Sequence, residues 1–302
     1  MQFYKTITDE TLRETAAHGS DKYPFAYYID DIWQFDRKYI DWHWHREVEF
    51  VTVSTGNVNC LIGQDRIHLE KGWGIFINSG TIHRFETEDN GIMPNIVFLP
   101  ELIATEKSLI HETYILPVLS RGPVYQILNP NISWQKTMLL LLNQIYDIQE
   151  KNVDSLSPLN TLLLTTELWK RLFQNIPIEP NFENEIRSTF QSSRLQIMLQ
   201  FIHDHYVENI ELEDIAKVTN ISKSSTLEVF RRGINQSPIS YLIQYRLIQA
   251  ASLLKNTKKT ISNISLTTGF SSDSYFCRKF KSYYKMTPAE YRKQALHNSP
   301  SL

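Results

Sequence analysis

The sequence predicts an α+β protein of several domains: a β-barrel unit, a helical segment and an all-α unit. Three observations predict this order. Short runs of β-branched and aromatic residues fill the region 25–99, helical periodicity begins near Ile132, and a pattern close to the end occurs twice. The length of 302 residues and the hydrophobic content of 42% suffice for two ordinary cores.

The β-rich region consists of short runs separated by turn signals. The clearest runs are Glu49–Val53, Val58–Ile62, Arg66–Leu69 and Gly74–Ile77. Turn residues, among them Gly56, Gly63 and Gly80, stand between them. Many short strands at near-regular spacing are typical of a barrel or sandwich. We assign residues 1–130 to this unit.

Residues 131–176 predict two helices. Apolar residues recur at helical spacing from Met138 to Gln149 and from Leu159 to Leu172. The run Leu139–Leu142 is apolar all round, which predicts burial on two sides. One side would cover the barrel, and the other would contact a second subunit or be covered within the same chain. Residues 177–193 contain two prolines and then several serines, which predicts a linker.

The remaining region, residues 194–297, carries the doubled pattern. Its first copy contains Ile215-Ala216, Ile221-Ser222, Phe230 and Ser237-Pro238; its second contains Ile264-Ser265, Phe270-Ser271, Phe280 and Thr287-Pro288. Each copy predicts a helix, a turn and a second helix, which is the layout of a helix-turn-helix. Asn220 and Gly269 suit the left-handed turns, and Ser222 and Ser271 or Ser272 suit the N-caps.

A long helix is predicted between the two copies. Ser237 followed by Pro238 is a typical helix start, and no Gly or Pro interrupts the apolar periodicity up to Lys255. Such a helix would be about 25 Å long at 1.5 Å per residue. Two helix-turn-helix motifs joined by this helix could reach successive major grooves on one face of DNA.

The stretches Arg246–Leu254 and Gly269–Arg292 resemble the AraC/XylS family of transcriptional regulators. The resemblance implies a sequence-specific regulator that binds double-stranded promoter DNA as a homodimer, responds to a small-molecule effector, and contacts RNA polymerase if it is an activator. It places the base-reading positions at Ser224, Leu227, Glu228, Asp273, Ser274, Cys277 and Arg278. Nearby lysines, including Lys279 and Lys281, are the candidates for phosphate contacts.

The side chains suggest different roles at these positions. Arg278 can donate to guanine O6 and N7 together, and Leu227 can contact a thymine methyl group. Glu228 replaces the basic or amide residue common in the family, so it either accepts from cytosine N4 or adjusts phosphate contacts. Phe276 and Phe280 are expected in the core.

Charge divides the chain in the same way. From Arg187 onward there are 16 Lys and Arg against 8 Asp and Glu, a net charge of +8. The preceding residues carry 15 against 25, a net charge of −10. A basic C-terminal part favours salt-sensitive contact with DNA phosphates, and an acidic remainder is repelled by DNA.

A second constellation lies in the β-rich region. The spacing of His43, His45 and Glu49 looks like the first cupin motif, and Gly80 with His83 belongs to a second. The second motif departs from the cupin pattern by having Asn in place of Pro at position 78 and Thr in place of Asn at position 87. On a strand, residues two apart share a face, so these side chains are expected inside the barrel.

Three interpretations of this cluster remain open. His43, His45, Glu49 and His83 could hold a divalent transition metal, line a pocket for a non-metal effector, or form a structural network. Trp33 and Arg46 add an aromatic face and a cation, which suit a sugar or a small aromatic ligand, and the resemblance to sugar-responsive relatives favours a saccharide. The principal prediction is a regulator with no catalytic residues and no required cofactor. The alternatives are a metal-dependent cupin enzyme fused to a DNA-binding domain and a metal-sensing regulator.

The sequence also predicts a cytoplasmic protein. The first residues carry no apolar signal segment, and no run approaches the roughly 18 apolar residues of a membrane span. Cys60 and Cys277, the two cysteines, lie in different predicted domains and are expected to stay reduced.

Overall fold

The computed structural model describes residues 6–9, 11–35, 38–151, 154–178 and 182–297, and for 182–193 and 295–297 it describes the backbone alone. The chain divides into two compact units, and the boundary between them along the sequence lies between Phe190 and Gln191. Among the described helices, none combines the length and apolar character needed to cross a lipid bilayer.

The first unit contains two antiparallel sheets. Their strands are β1 Phe25–Asp31, β2 Tyr39–His43, β3 Val48–Thr52, β4 Val58–Ile62, β5 Asp65–Leu69, β6 Gly74–Ile77, β7 His83–Glu86, β8 Ile92–Phe98 and β9 Tyr125–Leu128. The five-stranded sheet has the order β1-β8-β3-β6-β9, and the four-stranded sheet has the order β2-β7-β4-β5. The four strand runs taken from the sequence therefore match β3 to β6 within one residue at each end.

The apolar residues of the two sheets form one core between them. Val51, Ile75 and Met93 of the larger sheet pack with Cys60 and Phe85 of the smaller one. Side chains alternate along each strand, so the neighbours of these residues point away from the space between the sheets. The smaller sheet is consequently polar on its outer face, whereas β3 of the larger sheet is buried at every residue.

Helices cover the outer face of the larger sheet. They are α1 Leu116–Arg121, preceded by a π-helical turn at His111–Ile115, α2 Ser133–Lys151 and α3 Ser157–Asn175. Phe50 and Phe98 of the sheet pack with Leu142 of α2 and Trp169 of α3 in a second core. The side of the two predicted helices that was expected to cover the β unit does so. Neither α1 nor β9 was expected from the sequence; both are short and lie around Gly122-Pro123.

The second unit is all helical. Its helices are α4 Phe182–His205, α5 Leu212–Lys217, α6 Lys223–Ile234, α7 Pro238–Asn256, α8 Ile261–Thr267, α9 Asp273–Tyr284 and α10 Pro288–His297. The helices α5 and α6 form the first helix-turn-helix, and α8 and α9 form the second. The side chains of Ser222, Ser237 and Ser272 accept hydrogen bonds at the starts of α6, α7 and α9. Asn220 has a φ of 53°, and Gly269 has a φ of 82°.

The predicted linker differs from the structure. Residues 182–193, which were assigned to the linker, belong to α4, and 179–181 lie outside the described residues. No Gly or Pro occurs between Phe182 and His205, so the serines do not interrupt helical hydrogen bonding. The boundary after Phe190 falls inside the predicted linker, so the assignment of 177–193 as the connection stays a prediction, and its helical part was not expected because serine is common both in linkers and in helices.

Arg246 of the long helix α7 joins the two halves of the second unit. Its Nε donates to the carbonyl of Tyr206 at 2.6 Å, and its Nη2 donates to that of Glu208 at 2.7 Å, just beyond the end of α4. A side chain at Gly269 would stand 2.5 Å from the Tyr206 oxygen and 2.8 Å from the Arg246 Nε. The turn of the second helix-turn-helix therefore requires glycine both for its φ and for this close approach.

Candidate nucleic-acid interface and effector site

The second helix of each helix-turn-helix separates a buried face from an exposed one. Val229 and Phe230 of α6, and Phe276 and Phe280 of α9, are buried in the core as the sequence predicted. Of the positions inferred to read bases or phosphates, Cys277, Lys279 and Glu228 are half-buried; the exposed ones are Ser224, Leu227, Asp273, Ser274, Arg278 and Lys281. Each set lies on its own helix, on the face turned away from the core.

The outer face of α9 carries cations that form no ion pair with another described residue. The guanidinium of Arg278 lies 5.5 Å and the ammonium of Lys279 lies 5.6 Å from the ring centre of Tyr275, a distance at which aromatic and cation attract. Asp273 is differently placed: interaction with the hydroxyls of Ser262 and Ser265 in α8 lowers the pKa of its carboxyl.

The exposed face of α6 has a different electrostatic character. The carboxylate of Glu228 lies 2.6 Å from the guanidinium of Arg231 and 2.5 Å from that of Arg232. The hydrogen bond from Arg232 and the charge of Arg231 lower the pKa of Glu228. Neither arginine was among the residues inferred from the sequence, although their spacing from Glu228 is that of neighbours on one helix face.

The predicted histidine cluster forms between the two sheets. His43 ends β2, His83 begins β7 as its cross-strand partner, and Glu49 lies on β3. His45 lies in the connection between β2 and β3. All four side chains are buried, and the ligand atoms that the three histidines can offer lie within 4.8 Å of one another.

Each imidazole of the cluster has its Nδ1 atom beside a backbone carbonyl oxygen. The Nδ1 atoms of His43, His45 and His83 lie 2.8, 3.1 and 2.8 Å from the carbonyl oxygens of Asp41, Glu47 and Thr81. A carbonyl can only accept, so each Nδ1 carries a proton and each Nε2 is directed toward the other members of the cluster. Burial, followed by the charge of His83, lowers the pKa of His43 to about 3, which keeps that ring neutral.

Glu49 is the anionic member of the cluster. Its Oε2 lies 3.0 Å from the Nε2 of His83 and 3.5 Å from that of His45. Burial raises the pKa of Glu49, but the contacts with these histidines outweigh burial and hold the pKa well below its usual range. Neither Glu49 Oε2 nor His83 Nε2 has a partner with hydrogen-bond geometry among the described groups. Two buried atoms are thus left ready for a bound group.

Further polar residues that the sequence analysis missed lie beside the cluster. Asn95 of β8 donates to Asp30 of β1 at 2.7 Å, and both strands direct these side chains toward the space between the sheets. Burial raises the pKa of Asp30 to about 7. A buried amide within the apolar strand Ile92–Phe98 is a signal that the sequence offered.

The N-terminal segment adds a fourth histidine. Residues 12–14 run beside Trp44, with Glu14 N donating to Trp44 O at 2.8 Å and Trp44 N to Leu12 O at 3.0 Å. This pairing brings His18 to an edge-on contact with His45, at 5.4 Å between ring centres. His18 also lies 3.3 Å from Glu14, and hydrogen bonding and charge from Glu14 outweigh burial and raise the pKa of His18.

Trp33 and Arg46, the other two residues inferred for the effector site, are not joined to the cluster. Trp33 follows β1, and its indole donates to the carbonyl of Asp89, beyond the end of β7 opposite to His83. Arg46 is exposed, since it alternates with the buried His45. The assignment of Trp33 to this site is corrected by the antiparallel order of the strands.

The two departures from the cupin pattern have structural roles. The amide of Asn78 donates to the carbonyls of Val118 at 2.8 Å and Pro123 at 3.2 Å, which ties the turn after β6 to α1. The hydroxyl of Thr87 donates at 2.7 Å to the carbonyl of Asn57. Both residues stabilise turns and neither contributes a ligand atom to the cluster.

Comparison with known proteins agrees with this geometry. A family described as "AraC-like ligand binding domain" matches residues 31–132, and one described as "Helix-turn-helix domain" matches residues 215–294. The "Uncharacterized HTH-type transcriptional regulator YdeC" of Bacillus subtilis (strain 168) is 32% identical over 95% of this chain and 98% of its own. The "Melibiose operon regulatory protein" of Escherichia coli (strain K12) is 25% identical over 83% of each chain.

A solved structure is also similar to part of this chain. A transcriptional regulator of Chromobacterium violaceum, described as an AraC-type DNA-binding domain-containing protein, is 26% identical, with a TM-score of 0.35 over 37% of this chain and 99% of its own.

A ligand-binding β unit and two helix-turn-helix motifs with exposed recognition faces define a DNA-binding transcriptional regulator, and not an enzyme. The chain belongs to the AraC family of transcriptional regulators.

Proposed function

We propose that a neutral saccharide is the effector and that it binds between the two sheets. The polar wall formed by Asp30 and Asn95, together with the histidine cluster, supplies the hydrogen-bonding groups. The hydrogen bond from the buried Asn95 to the half-buried Asp30 is the observation that carries this proposal. An amide and a carboxyl together offer both donors and acceptors, which is what adjacent sugar hydroxyls require.

Charge supports a neutral effector over an anionic one. The strongest charged neighbours of Asp30 and Glu49 are carboxylates and histidines, with no lysine or arginine among them. An anionic ligand would meet repulsion from Glu14 and Glu49, and no lysine or arginine among these described neighbours would offset it. The similarity to a melibiose operon regulator points toward the same class of ligand.

The effector acts on DNA binding through a difference in affinity. It can change how the second unit holds DNA only as far as it binds one arrangement of the protein more tightly than another. We place the regulator in the cytoplasm because it must reach promoter DNA, and it contacts RNA polymerase there if it is an activator.

We expect neutral mono- or disaccharides, with melibiose as the first probe, to bind the full-length protein in isothermal titration calorimetry. Asn95→Leu should weaken binding by about tenfold or more, because sugar hydroxyls and Asp30 lose their partner. Asn59→Leu, on the outer face of the smaller sheet, is the control and should leave binding unchanged. The bound sugar should also shift the DNA-binding curve; tighter binding of a sugar phosphate than of its neutral parent would contradict the proposal.

We further propose that the exposed positions of α6 and α9 read bases. Arg278 is the leading candidate, because it is exposed, lies in the middle of α9 and can bond guanine in two places. Its guanidinium is not held in any ion pair between described residues, so it is available to a base edge.

Arg278→Ala should cost about 1–3 kcal/mol of DNA-binding free energy and relax the preference at one base pair. The measurement is a titration of duplex variants of a site selected from random DNA by the full-length protein. Lys281→Ala is the comparison, since loss of a phosphate contact weakens all sequences alike. An Arg278→Ala protein with unchanged affinity and unchanged preference would remove Arg278 from the reading set.

A divalent transition metal is the second candidate occupant of the cluster. The donor set fits, because three Nε2 lone pairs fixed by backbone carbonyls are the arrangement in which metal-bound imidazoles are held. The buried carboxylate of Glu49 would balance part of the metal charge. His43, His45, His83 and Glu49 would hold the ion, which would supply a fixed positive charge for an effector oxygen.

Elemental analysis of the full-length protein, loaded with Co²⁺ and freed of excess ion, should give about one metal per chain. His83→Ala should lose that ion together with its visible absorption. His68→Ala, which changes a histidine on the outer face of the smaller sheet, should retain it. Equal metal content in all three proteins would rule out the cluster as the binding site.

We also propose that α3 forms a homodimer contact. Leu156, Leu159 and Leu163 are 56%, 52% and 60% exposed and follow one face of the start of this helix. An apolar stripe of this kind is stabilised by a second copy that supplies a matching stripe. The other side of α3 is already buried against the larger sheet.

Leu159→Lys combined with Leu163→Lys should convert the dimer to a monomer in sedimentation equilibrium, because each lysine would place a charge in an apolar contact. Leu109→Lys, at a leucine that is 78% exposed and lies just before the π-helical turn at His111–Ile115, should not. If wild-type protein sediments as a monomer, or the double variant as a dimer, the proposed contact is wrong.

A further inference from the structure

We infer that Glu228 competes with DNA phosphates for Arg231 and Arg232, and so lowers the affinity of the first recognition helix for DNA of any sequence. The inference rests on the proposed placement of α6 against DNA. The first motif thus contains ion pairs that lower its DNA affinity, and none of the ion pairs between described residues involves the corresponding cations of the second motif.

The geometry of α6 places one carboxylate between two guanidinium groups. Glu228 Oε2 lies 2.6 Å from Arg231 Nη2, and Glu228 Oε1 lies 2.5 Å from Arg232 Nε, so both oxygens are engaged. The side chains of the three residues are 35%, 60% and 55% exposed. They therefore lie on the outer surface of the helix, where a phosphate can approach.

The second recognition helix has the opposite charge at the same position. Residue 278, fifty positions after Glu228, is Arg, and it is followed by Lys281 and Ser282 where α6 has its two arginines. None of the ion pairs between described residues involves Arg278, Lys279 or Lys281. The cations of α9 are available to DNA from the outset, whereas Arg231 and Arg232 have a partner within the protein.

The chemistry of the exchange explains why sequence does not matter. An exposed ion pair is weak, so a phosphate can replace the Glu228 carboxylate as the partner of either arginine. The released carboxylate then stands near the DNA backbone, where like charges repel. Every duplex presents the same phosphates. The pairing of Glu228 with the arginines therefore lowers the affinity for DNA and its salt dependence, and it does not change base preference.

The test uses Glu228→Gln in the full-length protein, which keeps the size and helix propensity of the side chain while removing its charge. Binding is measured to a duplex selected from a random-sequence pool and to a scrambled duplex of the same length. We expect both affinities to rise. The plot of log affinity against log salt should steepen by about 0.9, so the gain should fall about 3.5-fold between about 50 and 200 mM salt.

Two further proteins make the result specific. Adding Arg231→Gln and Arg232→Gln to Glu228→Gln should abolish the gain, because the arginines deliver it. Glu86→Gln is the matched control: Glu86 also joins two arginines, Arg66 at 2.8 Å and Arg84 at 3.3 Å, but in the smaller sheet. It should leave DNA binding unchanged, and thermal melting checks that all variants are folded.

The outcomes separate the inference from the placement of α6. If Glu228→Gln weakens binding and relaxes one base pair, Glu228 reads a base and the inference is overturned. If the arginine substitutions weaken binding while Glu228→Gln has no effect, the inference fails and the placement stands. If none of these substitutions changes binding, both fail.

Discussion

The burial of β3 on both faces is the constraint on which the first unit depends. Glu49 and Val51 point into the space between the sheets, while Val48 and Phe50 point into the core under the helices. A shift of register by one residue would exchange these two sets, placing a carboxylate beneath α2 and α3 and a phenylalanine in the histidine cluster. The same strand therefore positions the candidate effector site and the helices that cover the opposite face of the sheet.

Local pattern was enough to predict much of the fold. The alternation of Val58–Ile62 predicted β4, and the pair Ser237-Pro238 predicted the start of α7, because both signals depend on neighbouring residues. The turn residues of both helix-turn-helix motifs were predicted for the same reason. The strand β9 and the N-terminal segment were not, since their partners, β6 and Trp44, lie far away in the sequence.

The site was predictable only where its residues are close in sequence. His43, His45 and Glu49 lie within seven residues of one another, but they do not share one strand as predicted: β2 ends at His43, Glu49 lies on β3 of the other sheet, and the pairing of β2 with β7 adds His83. Asp30 and Asn95 are 65 residues apart, and only the pairing of β1 with β8 joins them. Trp33 was wrongly included for the complementary reason: its position in the sequence is near the cluster, but the strand between them carries it to the other end of the sheets.

The unequal charges of the two recognition helices give the effector a natural point of control. Allosteric coupling is typically worth about 1–3 kcal/mol, a change of roughly 5- to 150-fold in affinity. A change of this size has its largest effect on the helix-turn-helix that binds DNA more weakly. The motif that binds more tightly remains bound when its affinity falls by the same factor. If Glu228 holds Arg231 and Arg232 as we infer, the first helix-turn-helix is that weaker contact, and the cations of α9 keep the second on DNA. An effector acting on such a protein would change which DNA sites are bound by both helix-turn-helix motifs, and it would leave DNA binding by the second motif largely unchanged.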